Sequence, residues 1–181
     1  GIRVEGSMDV VLTQGATQAV EIEAQENLIA LLETKVSNGV WEITTNDGYT
    51  TNKNFIVHIT VPVIDEVTVD GSGDVTSNGT FSSDEMDLAV AGSGNITLTF
   101  DSKKVDVDIA GSGDMVLSGT CERLKVGIAG SGDVVHVVGD QLRGCCESDG
   151  YFFALVSESQ PDIHGGEVCE TAVAGDRGTR H

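Results

Sequence analysis

Carboxylates are the groups in this chain with the most chemistry in them. Asp and Glu number 29 against 10 Lys and Arg, a formal net charge of −19 over 181 residues. Two sets recur regularly enough to act together. The first is Asp74, Asn95, Asp114 and Asp133, each closing a Gly-Ser-Gly-Asp/Asn tetrapeptide. Glycine-rich repeats with Asp can hold Ca²⁺ between turns of a parallel β-roll. Calcium needs six to eight oxygens, however, and each tetrapeptide offers one carboxylate or amide. Turn formation is therefore the expected role; no cofactor is expected, and calcium is the one metal to test. The second set is Asp87, Asp106 and Asp108. Alternation along strands would put all three on one outer face, at a spacing that suits a carboxylate pair acting on a glycosidic bond. A solvated acidic sheet face explains them more simply, and the expectation is no enzyme.

Other chemistry finds little support. His58 falls on the polar phase of its strand, His136 on an inward phase and His164 in an irregular stretch, so spacing assembles no Ser–His–Asp or Cys–His set. Cys121, Cys145, Cys146 and Cys169 lack the paired spacing of a zinc site. The vicinal pair leaves any disulfide connectivity open. The charge excludes a phosphate-binding, nucleic-acid partner and disfavours an anionic membrane surface. No apolar run is long enough to cross a bilayer. The chain has no initiator Met and no signal-like stretch, which suggests a mature or trimmed product whose export signal is out of view.

The elements that position these residues follow from a period. Gly-Ser-Gly begins at Gly71, Gly92, Gly111 and Gly130, with spacings of 21, 19 and 19 residues. Each copy supplies a corner: Gly71, Gly73 and Asp74; Gly92, Gly94 and Asn95; Gly111, Gly113 and Asp114; Gly130, Gly132 and Asp133. Before each corner apolar residues alternate with small or acidic ones. Val67 and Val69, then Met86, Leu88 and Val90, then Val105, Val107 and Ile109, then Leu124, Val126 and Ile128 take the inward phase. Asp65 would extend the first row. After each corner Val75, then Ile96, Leu98 and Phe100, then Met115 and Leu117, then Val134 and Val138 resume it.

The period predicts an all-β fold, a two-sheet parallel β-solenoid with strands of five or six residues and a return turn in every copy. One domain is expected over residues 1–138, a less regular β-rich cap over 1–66 leading into the repeats of 67–138. Within the cap, Gly6-Ser7-Met8-Asp9 reads as a degenerate corner and Asn38-Gly39 as a hairpin turn. Residues 139–181 read as a diverged capping segment or a frame-altered tail. On the outer sheet Ala91, Ala110 and Ala129 should stack beside Ala89 and Gly127. That smooth stripe, with Asp87, Asp106 and Asp108, is the candidate contact surface for a protein, a glycan or a second copy of the chain.

Leu88, Val90 and Ala91-Gly92-Ser93-Gly94-Asn95, followed by the same pattern at Val107–Asp114 and Val126–Asp133, resemble the repeats of the putative auto-transporter adhesin, head GIN domain family. Val4–Gly15 and Val57–Gly71 resemble its opening and the approach to its first repeat. The resemblance implies a β-solenoid that is exported to the bacterial periplasm, outer surface or exterior, with adhesion as its role. It carries over no catalytic motif. A carbohydrate-binding or carbohydrate-cleaving β-helix using the acidic face is the alternative.

Overall fold

The computed structural model describes residues 1–45, 55–142, 146–148 and 152–156, and side-chain surroundings as far as residue 135. The fold is all-β. In chain order the elements are β1 (Ile2–Gly6), β2 (Asp9–Gln14), β3 (Ala19–Glu23), the four-residue α1 (Glu26–Ile29), β4 (Leu32–Ser37), β5 (Val40–Thr45) and β6 (Ile56–Val61). They continue as β7 (Glu66–Gly71), β8 (Val75–Gly92), β9 (Ile96–Gly111), β10 (Met115–Gly130), β11 (Val134–Leu142), β12 (Cys146–Ser148) and β13 (Phe152–Val156). All the described strands belong to one curled sheet.

Parallel pairing dominates, and it follows the repeat. β8 pairs with β9 and β9 with β10 so that Gly92, Gly111 and Gly130 lie side by side, as do Val90, Ile109 and Ile128. The inward phase is buried at Val67, Val69, Met86, Leu88, Val90, Val105, Val107, Ile109, Leu124 and Val126, with Ile128 half-buried. Past the corners Val75, Ile96, Leu98, Phe100, Met115, Leu117 and Val134 are buried too. Asp65 departs from the expected row. Its side chain is 66% exposed and Ile64 takes the interior place, because an unpaired carboxylate there would lose its hydration. The phases of His136 and Val138 lie outside the described side chains.

The expected return turn is absent from β8, β9 and β10, which run on for 18, 16 and 16 residues. Burial alternates through Phe100 and Ser102, slips at the exposed pair Lys103-Lys104, and resumes at Val105 in the opposite phase. Asp84-Glu85 and Glu122-Arg123 are the same slip in β8 and β10. Two exposed residues in succession transfer the side-chain phase, so neighbouring strands keep pairing past the slip (Ser83 to Ser102, Glu85 to Lys104). One face therefore comes from the strand segments after each glycine corner, and the other from the segments before it.

The glycine corners are built by contact between copies. At Gly111 φ is +140°, and a Cβ there would collide with the Gly92 carbonyl oxygen; at Gly113 it would collide with that of Gly94. Ser112 N–H donates to Gly92 O at 2.8 Å, and Ser131 N–H to Gly111 O at 2.8 Å. Gly6, at φ +113°, pairs with Gly71, so Gly6–Asp9 forms the same corner with buried Met8 in place of the second glycine.

Within the β-rich part before the repeats, residues 1–14 lie next to the repeats. β1 pairs in parallel with β7 on one side and with β5 on the other; β2 likewise lies between β8 and β6. The first strands of the chain are thus interior, and the covering edges are β3, antiparallel to β6, and β4, antiparallel to β5. Asn38 and Gly39, at φ 53° and 83°, make the tight β4–β5 hairpin. Of the 139–181 segment, residues 139–142 end β11, β12 pairs with β10 and β13 with β11; its remainder, with Cys145, Cys169 and His164, lies outside the described residues.

Candidate functional site

The face built before each corner holds the candidate contact residues. Ala91, Ala110 and Ala129 are direct neighbours in register and all exposed, continuing a row that runs from Glu5 through Asp70. Beside them run Thr68, Ala89, Asp108 and Gly127. The Asp108 carboxylate folds over the glycine, with Oδ1 2.6 Å from where a Cβ of residue 127 would stand. A third row places Glu66, Asp87, Asp106 and Lys125 side by side. The structure therefore brings Asp87 next to Asp106, with Asp108 two residues further along the same strand.

Asp87 feels that crowding. Partial burial raises its pKa above the ordinary value of 3.8, and the neighbouring charges of Asp106, Glu66, Glu85 and Asp65 raise it further. The arrangement can present acid groups to a ligand, and Lys125, between Asp106 and Glu147 in the register, adds a cation to the row.

The corner residues act between copies. Asp74 Oδ1 accepts the Asn95 backbone N–H at 3.0 Å, Asn95 Oδ1 that of Asp114 at 2.9 Å, and Asp114 Oδ1 that of Asp133 at 2.9 Å. Asp9 begins the series by accepting from Asp74 N–H at 3.1 Å. Asn95 also donates its Nδ2 to Asp74 Oδ1 at 2.8 Å, which a carboxylate in its place could not do. Each side chain thus ties one copy to the next, instead of closing its own turn as the sequence suggested. Among the described residues no group of three or more His, Cys, Asp or Glu is gathered to hold a metal ion.

Sequence reasoning missed the charged edge at the phase slip. Lys103 Nζ lies 2.6 Å from Asp84 Oδ1, and Lys104 bonds Glu85. The hydrogen bond and charge of Lys103 hold the Asp84 pKa below its ordinary value, and Asp84 raises that of Lys103 in return. The signal was present as three consecutive charged dipeptides in register. Beneath this edge Ser83 and Ser102 share a 3.0 Å hydrogen bond, and Cys121, paired with Ser102, is buried. His58 is partly exposed on the other face, 3.7 Å from Glu23 Oε2.

The family profile described as putative auto-transporter adhesin, head GIN domain, matches residues 1–136. The chain belongs to this family. Among solved structures, this GIN-domain chain is similar to a putative adhesin from Bacteroides fragilis, with 16% identity over 86% of this chain and 91% of that one, at a TM-score of 0.53. It is also similar to a putative lipid binding protein from Parabacteroides distasonis, with 16% identity over 85% and 92% of the two chains and a TM-score of 0.52. At that identity the likeness shows a shared fold. No curated protein matches the chain. No helix of the described residues is long and apolar enough to cross a membrane.

Proposed function

We propose that this GIN-domain chain is an exported, non-enzymatic module of the bacterial envelope. It holds a protein or glycan at a cell surface against one face of a two-sheet parallel β-solenoid. The solenoid reading is supported by in-register parallel pairing of the Gly-Ser-Gly copies and by the phase slip that carries each strand from one face to the other. The family description supports adhesion and export. The observation that carries the binding reading is the exposed row of Ala91, Ala110 and Ala129 beside Asp87, Asp106 and Asp108. Small side chains let a sugar ring or an extended peptide lie close to the backbone, and the flanking carboxylates accept its hydroxyl or amide hydrogens. The net charge of −19 favours such neutral or cationic partners over anionic lipid.

Ala110→Arg raises a long side chain in the middle of that row, at a solvent-facing position. The expected result is an unchanged melting temperature and loss of retention on a panel of cell-surface polysaccharides and envelope proteins. Unchanged retention of a ligand that the parent protein binds sinks this surface. The second reading, carbohydrate cleavage, rests on the raised pKa of Asp87 beside Asp106. Reducing-end detection on the same panel separates the two. Turnover that Asp87→Asn and Asp106→Asn abolish establishes the enzyme, whereas saturable binding without turnover establishes the module.

A further inference from the structure

The second face, built after each corner, differs from the first in one respect. Its central positions carry no Asp, Glu, Lys or Arg in a chain that has 39 of them. Val11, Thr76, Thr97, Val116 and Val135 lie side by side on β2, β8, β9, β10 and β11, with His58 next in line on β6. Next to it Thr13 pairs with Asn78, and, past an irregularity in β8, Thr80 pairs with Thr99 and Thr99 with Ser118. Thr76, Thr97 and Val116 are exposed, Val116 by 40%. Charge returns at the margins: Glu21, paired with His58, and Glu23, 3.7 Å from it, stand at the β3 end of the row. The Asp74–Asp133 column runs along one side, and Asp101, bonded to Thr120 Oγ1 at 2.6 Å, stands at the other. A neutral, β-branched centre with an acidic rim is the anatomy of a protein–protein interface.

We infer that this face pairs with the same face of a second copy of the chain. Charge selects that occupant. Two molecules of charge −19 repel, and this face lets them meet without setting Asp, Glu, Lys or Arg opposite one another in the centre of the contact. Joined through the other face, they would oppose Asp87, Asp106 and Asp108. A neutral Val/Thr surface is also compatible with a copy of itself about a two-fold axis, because it holds no directional charge pattern that a different partner would have to match. Six strands spaced about 4.8 Å apart and five or six residues long cover about 500 Å². A pair buries about 1,000 Å², the lower limit for a specific interface, so the dimer is weak and concentration-dependent. The acidic rims still face each other across about 10 Å, so added salt tightens the pair instead of loosening it.

This inference does not depend on adhesion through the alanine face. Sedimentation equilibrium of the full chain, from micromolar to roughly millimolar concentration, tests it at low and high sodium chloride. The expected result is a monomer–dimer equilibrium that salt strengthens. Val116→Glu places two like charges across the axis and weakens it at least about tenfold, with the circular dichroism spectrum and melting temperature kept. Thr97→Glu does the same and decides the matter if Val116→Glu fails to fold. Ala110→Arg, on the opposite face, leaves the dimer unchanged. A monomer throughout, a dimer that salt dissociates, a dimer indifferent to both Glu substitutions, or one lost in Ala110→Arg would each overturn the inference.

Discussion

Among the described residues, Asp87 is the carboxyl whose environment opposes its charge. Its pKa is raised first by burial and then by Asp106, Glu66, Glu85 and Asp65, so the folded state favours the protonated form more than the unfolded chain does. A carboxyl shifted in this direction contributes stability below its unfolded value near 3.8, and that contribution is lost as pH rises through the folded pKa. At neutral pH the ionised group therefore strains the fold. Asp87→Asn is expected to raise the unfolding midpoint in urea at pH 7 and to leave it unchanged at about pH 3, where both forms are neutral. A gain equal at both pH values would mean that side-chain packing, not charge, is responsible.

At the scale of elements, the phase slip replaces the turn. Asp84-Glu85, Lys103-Lys104 and Glu122-Arg123 keep solvent on both residues of each slip while pairing continues beside them. Their signs alternate from Asp84 to Lys103 to Glu122, and Glu122 helps to raise the Lys103 pKa. Lys103→Glu makes that column wholly acidic. The melting temperature should fall at low ionic strength and recover as salt is added, because exposed charges about 4.8 Å apart are screened progressively. A loss independent of salt would refute the ion-pair account. The sequence made the inward rows from Met86 to Val90 and from Val105 to Ile109 legible, since period-two burial writes itself into residue types. It made the glycine corners legible because their sterics exclude most other residues. The slip is not legible because turns are ordinarily marked by Gly, Asn, Asp or Pro, whereas here two exposed charged residues suffice. The interior position of β1 and β2 was not legible at all. Alternation says which side of a strand is buried and is silent on which strand lies next to it.

For the whole molecule, that threading decides where stability resides. The stack passes from β5 and β6 through β1 and β2 to β7 and β8, so the start of the chain joins two parts that follow it in sequence. Met8, Val10 and Leu12 are fully buried as a result, like Leu98 in the middle of the repeats. A peripheral cap could lose a side chain by fraying locally, at little cost to the remainder. An interior strand cannot fray without separating its neighbours. Leu12→Ala should therefore cost about 2–5 kcal/mol in urea unfolding, matching Leu98→Ala, with one cooperative transition retained in both. If Leu12→Ala costs less than about 1 kcal/mol while Leu98→Ala costs several, the first strands are an edge and the threading is wrong. Equal costs would mean that residues 1–14 couple the antiparallel cover to the repeats, so that both outer faces are held by one continuous core.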